Sequence, residues 1–130
     1  WFKRQEKLLP STEVCISDLD FVLLNHQENW LALIECKRGN EEFRWNQQDL
    51  IRRLDAMLRI GSGARSSNPL PSGEVKVQTE YRGCYLIRSE TGNPETSRWL
   101  RWADARCPSE TVRLTHEGLS RLLKNGPKIP

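Results

Sequence analysis

At 130 residues the chain suits one domain, residues 1–130, with a core of its own. Charged residues at 28% against 37% hydrophobic exclude a disordered segment, and no apolar run reaches the length that spans a bilayer. A net charge of +3 permits a nucleic-acid partner without requiring one, because basic patches matter more than totals.

No secretory signal opens the chain, and Trp1 in place of Met reads as a domain trimmed or excised from a longer protein. Cysteines at 15, 36, 84 and 107 lack paired C-x-x-C spacing, which argues against zinc or a disulfide framework. Reduced thiols in predicted strands imply a reducing compartment, the cytoplasm or nucleus.

Residues 1–9 read as the last turns of a helix stopped by Pro10. After a short stretch at 13–16 come two apolar strands, 17–24 and 30–37, joined by a polar turn from Asn25 to Asn29. Strand side chains alternate faces, so Glu35 and Lys37 share one. The register that keeps the charges together sets Asp20 opposite Glu35, Asp18 opposite Lys37, Val22 opposite Leu33 and Leu24 opposite Leu31. A slip of one residue would press Asp20 against Ile34, among apolar neighbours. Apolar residues on both faces of these strands predict a sheet covered on both sides.

Asn40 reads as an N-cap, Glu41 and Glu42 as first-turn acids, and Gly61 as the stop of a long amphipathic helix. Its apolar stripe is Phe43, Leu50, Ile51, Leu54, Met57 and Leu58. Gln47 falls inside that stripe, where an unpaired amide costs about 1–3 kcal/mol and therefore demands a partner. Trp45, Gln48, Arg52 and Arg59 lie opposite, as a strip able to track phosphates or meet a second subunit. Residues 61–73 read as a long flexible connection carrying Arg65, without the G-K-[ST] of a P-loop.

Val75, Val77 and Thr79 alternate, and 83–88 forms a compact strand, with a turn or bulge at 81–83 between them. Residues 97–105 lean to strand. Trp99 and Trp102, with Arg98, Arg101 and Arg106, are either a stacking-plus-phosphate surface or core tryptophans edged by arginines. A short strand at 112–114 precedes a helix capped by Thr115 and ended by Asn125-Gly126-Pro127. His116 has no identifiable carboxylate partner and is set aside as a catalyst.

Chemistry concentrates at Asp20, Glu35 and Lys37. Carboxylates opposed across a strand pair repel by several tenths of a kcal/mol or more, and a divalent cation between them relieves that. Mg²⁺ prefers oxygen ligands and is held by one or two carboxylates; a neighbouring ammonium positions water and offsets charge growing on phosphorus. That set suits metal-dependent hydrolysis of a phosphodiester.

Asp20 at the head of one apolar strand, with Glu35-Cys36-Lys37 ending the next, resembles the PD-(D/E)xK nuclease superfamily. The resemblance covers the first half of the chain. It implies an α/β restriction-endonuclease-like fold, a mixed β-sheet flanked by helices on both faces. It further implies that Asp20, Glu35 and the backbone of Cys36 bind Mg²⁺, with Mn²⁺ able to substitute, and that Lys37 assists the attacking water. A first helix often adds a carboxylate, here Glu6, with Glu13 the lesser candidate. Several branches place a glutamine in the following helix, here Gln47, although the tyrosine that follows it in the RecB-like branch is Ile51. The family's proline before the aspartate is absent; Ser17-Asp18-Leu19 stands there, so Asp18 remains the alternative ligand to Asp20. By this resemblance the chain is an endonuclease on double-stranded DNA that dimerises to cut both strands, with no membrane partner. Arg38, Arg52, Arg65 and Trp45 are its candidate nucleic-acid contacts. An RNA-cleaving nuclease or junction resolvase, or an inactive nucleic-acid-binding scaffold, are the competing readings.

Overall fold

Among the described residues, five strands of one mixed sheet organise the fold. Their spatial order is β1 (Phe21–Asn25), β2 (Trp30–Arg38), β5 (Glu80–Ser89), β6 (Leu100–Asp104) and β7 (Val112–Leu114). The computed structural model describes residues 19–71 and 73–127. The helix read at 1–9, with Glu6, Glu13, Cys15 and Asp18, lies outside the described residues. β2 and β5 run parallel, and the other neighbours are antiparallel. A parallel pair needs a crossover, which here contains helix α1 (Trp45–Gly61) and a separate hairpin of β3 (Ser66–Leu70) and β4 (Gly73–Val77). Helix α2 (His116–Asn125) follows the last strand.

The class is therefore α/β with a mixed sheet. Leu33, Leu86 and Ala105 pack with Phe43 and Ile51 on the face that α1 covers. Ile34, Ile87 and Leu100 pack with Leu119 and Leu122 of α2 on the other. Central strands β2 and β5 are thus covered on both sides, as their nearly continuous apolar sequences require. No helix among the described residues is long and apolar enough to cross a membrane.

The hairpin has the predicted register: Val22 pairs with Leu33 and Leu24 with Leu31. Its turn is fastened by Asn25, whose Oδ1 accepts from the N–H groups of Gln27 (2.9 Å) and Glu28 (2.8 Å), and Asn29 takes φ of 54°. The strand in β5 is interrupted opposite Leu31 and Leu33 by a register shift, the bulge expected near Gly83, whose φ is 99°. Thr115 caps α2, accepting from Gly118 N–H at 2.9 Å.

Four expectations change. Among the described residues β1 is an edge strand, and Phe21, Val22 and Leu24 are about half exposed rather than covered. The flexible connection at 61–73 instead enters the β3–β4 pair. Asn40 does not cap α1, which begins at Trp45 without a side-chain cap. The intervening chain is held off the helix by one local and two tertiary bonds: Arg38 N–H donates to Glu41 Oε2 (3.2 Å), and Arg88 Nη1 donates to the carbonyls of Gly39 (3.2 Å) and Glu41 (2.7 Å). Finally, the buried side of α1 carries Ile51 and Asp55, while Met57 is 69% exposed.

Candidate active site

The antiparallel register of β1 and β2 continues past Phe21, bringing Asp20 beside Glu35. Asp20 N–H donates to Glu35 Oε2 at 3.3 Å, and Asp20 Oδ2 accepts from Cys36 N–H at 2.8 Å. The aspartate thus hooks onto β2 through its own side chain, just where ladder pairing stops. Glu35 is 2% exposed, on the α1 face. Its Oε1 accepts from Gln47 Nε2, and Lys37 Nζ sits 3.3 Å from the same oxygen. Lys37 also lies 6.0 Å from the centre of the Phe43 ring. The partner demanded by a glutamine in the apolar stripe of α1 is therefore Glu35.

Burial pushes the Glu35 carboxyl above its ordinary range, the Asp20 charge pushes it further, and the Lys37 ammonium pulls back. Cys36, between them in sequence, is raised to about 11 by burial and then by the Asp20 and Glu35 charges. Two carboxylates share one ammonium, and negative charge is left over. That donor set fits a divalent cation of the Mg²⁺ type, which needs only one or two protein carboxylates. A denser ligand set is not available: no group of three or more His, Cys, Asp and Glu side chains converges among the described residues.

Asp20, Glu35, Cys36, Lys37 and Gln47 come together; among the described residues no hydrogen bond or ion pair joins Arg38, Arg52, Arg65 or Trp45 to them. Trp45 opens α1 at 70% exposure, and Arg52 is exposed further along the helix. Arg65 is exposed just before β3, and Arg38 ends β2, its stem packed against Gly92. Arg59, read in the Trp45 strip, is instead bound to Asp55, Nε to Oδ2 at 2.8 Å. Trp102 packs into the α2 core, its ring 5.3 Å from Tyr85, so it is no stacking platform.

The buried Asp55 went unread in the sequence. Tyr81 Oη donates to its Oδ1 at 2.8 Å, and the Arg59 guanidinium lies 5.7 Å from the Tyr81 ring centre. An acid four residues before an arginine was the only local signal, and it also describes an exposed ion pair.

Compared with known proteins, the chain matches no family model, no curated protein and no solved structure.

Proposed function

We propose that the chain is a metal-dependent nuclease of the PD-(D/E)xK kind that hydrolyses DNA phosphodiester bonds. One observation carries the reading: Asp20 and Glu35 converge from adjacent strands with the Lys37 ammonium 3.3 Å from Glu35. A buried carboxylate such as Glu35 rarely sits beside a second acid, here the exposed Asp20, without a cation to share them. Asp20 and Glu35 would hold Mg²⁺ or Mn²⁺, with the Cys36 backbone as a further oxygen donor. Bound there, the cation supplies charge to the phosphoryl oxygens and makes water more acidic. Gln47 fixes the rotamer of Glu35 by donating to Oε1, which keeps Oε2 toward Asp20. Lys37 orients the attacking water and offsets charge developing on phosphorus. Its ammonium lies 6.0 Å from the Phe43 ring centre and 3.3 Å from Glu35 Oε1, which hold it in place.

Double-stranded DNA is the first substrate on this reading, with a pair of copies needed to cut both strands and a reducing compartment, cytoplasm or nucleus, as the setting. Cleavage of duplex DNA, single strands, RNA and four-way junctions, with Mg²⁺ and with Mn²⁺, tests it. Glu35→Ala and Lys37→Ala are each expected to lower the rate at least about a hundredfold. Wild-type rates in both variants would falsify the proposal. The closed set of bonds around Glu35 also suits an inactive nucleic-acid-binding scaffold. Calorimetric titration with Mn²⁺ separates the two, since the scaffold predicts no heat that depends on Asp20.

A further inference from the structure

Arg88, Arg101 and Arg113 stand directly opposite one another in β5, β6 and β7, and Lys37 of β2 stands opposite Arg88. Opposed residues share a face, so four cations form a row across four adjacent strands, on the face that carries Glu35. With strands about 4.8 Å apart, the row spans about 14 Å. Like charges directly opposed destabilise a sheet, yet among the described residues no carboxylate is ion-paired with Arg88, Arg101 or Arg113. Neighbouring arginines are spent: Arg98 on Glu90 at 2.7 Å and Arg106 on Asp104 at 2.6 Å.

Arg88 is aimed by neutral groups. Its Nη1 donates to the Gly39 and Glu41 carbonyls, while a guanidinium has five N–H donors in all. Beside it opens a cleft of about 280 Å³ lined by Gly39, Arg88, Trp99, Arg101, Pro108 and Thr111. The Arg101 guanidinium lies 5.7 Å from the Trp99 ring centre, so the cleft joins a planar aromatic to planar cations. A basic groove that tracks the backbone, with an aromatic for bases to stack on, is what binding of unpaired nucleic acid uses. An unpaired strand carries one phosphate per nucleotide, so a row of this length meets more than one.

We propose that the cleft and the row form a track for a single strand of nucleic acid, with phosphates on Arg88, Arg101 and Arg113 and a base against Trp99. The Lys37 end of the track points to the acidic pair, and only that delivery step rests on the nuclease reading. An acidic peptide would meet the cations equally but has no use for the tryptophan.

Binding of a labelled single-stranded oligonucleotide, followed by anisotropy over a salt series in EDTA, tests the track without cleavage. Each lost phosphate contact is expected to flatten the slope of log K against log salt by about 0.7, hence about 1.4 for Arg101→Gln with Arg113→Gln. The charge-matched control, Arg53→Gln with Arg121→Gln, is expected to keep the wild-type slope, and so is Arg101→Lys with Arg113→Lys. Trp99→Leu is expected to weaken binding about tenfold or more without changing the slope. The proposal is overturned by a wild-type slope in the Arg101/Arg113 variant, or by an equal drop in the control. It is also overturned by polyglutamate displacing the strand as well as unlabelled strand does. An inert chain whose binding still depends on the row retires the hydrolysis reading alone; an active one with an unchanged slope retires the track alone.

Discussion

Two carboxylates lie buried under α1, one near each end, and they are solved differently. Asp55, 4% exposed, has one cation and one hydroxyl to itself: Arg59 holds Oδ2 and Tyr81 holds Oδ1, both at 2.8 Å. Glu35, 2% exposed, must share the Lys37 ammonium with the neighbouring Asp20 charge. Burial is the same, but the charge account closes at Asp55 and stays open at Glu35. Buried acids are tolerated when paired and hydrogen-bonded, so Asp55 needs no further explanation and serves as a fastening between α1 and β5. An acid left with surplus negative charge is where a missing cation is to be sought.

The largest break in the comparison comes from neutralising each acid in turn. Asp55→Ala strands the Tyr81 hydroxyl and the Arg59 guanidinium, and is expected to cost about 3 kcal/mol in urea unfolding. Asp55→Asn keeps an acceptor for Tyr81 and is expected to lose less. Glu35→Gln removes one of two repelling charges and is expected to change stability by within about 1 kcal/mol. A Glu35→Gln loss as large as that of Asp55→Ala would mark Glu35 as a structural ion pair.

These two sites also show why part of the molecule was legible in sequence. The Asp20–Glu35 pairing followed from a period of two, charged ends and apolar middles, all within one hairpin; the observed pairs Val22–Leu33 and Leu24–Leu31 obey it. The partner of Gln47 was foreseen only as a need, because an amide on an apolar stripe must bond to something. Asp55 escaped because its partner Tyr81 is 26 residues away, and the wheel built on apolar residues alone favoured Met57. The start of α1 was misread for a similar reason: Arg88, far along the chain, claims the carbonyls of Gly39 and Glu41. The basic row needs the pairings β2–β5–β6–β7, which no local pattern in 37, 88, 101 and 113 encodes. β3 carries Pro69 and no apolar alternation, so its sequence looked like part of a linker, whereas the alternation of Val75 and Val77 in β4 was legible.

A cation sharpens the contrast by acting on one acid alone. A ligand that binds only the folded state raises stability by about 2.7 kcal/mol at a hundred times its dissociation constant. Thermal unfolding with increasing Mg²⁺ or Mn²⁺ is therefore expected to shift upward in the wild type and in Asp55→Asn, and to stay flat in Asp20→Asn. An equal shift in all three would place the cation elsewhere.

The smallest effect is in pH. Glu35 titrates above its ordinary 4.5 because burial, and then Asp20, disfavour its charge more than Lys37 favours it. Between 4.5 and that raised value the folded protein keeps a proton that the unfolded chain has already released. The unfolded state binds fewer protons there, so stability falls as pH rises through the window, by at most about 1.4 kcal/mol per pH unit. In EDTA, the difference in melting temperature between Glu35→Gln and wild type is expected to grow in favour of the variant over that range. Adding Mg²⁺ is expected to erase the Glu35 slope, since a cation favours the ionised carboxylate that burial opposes.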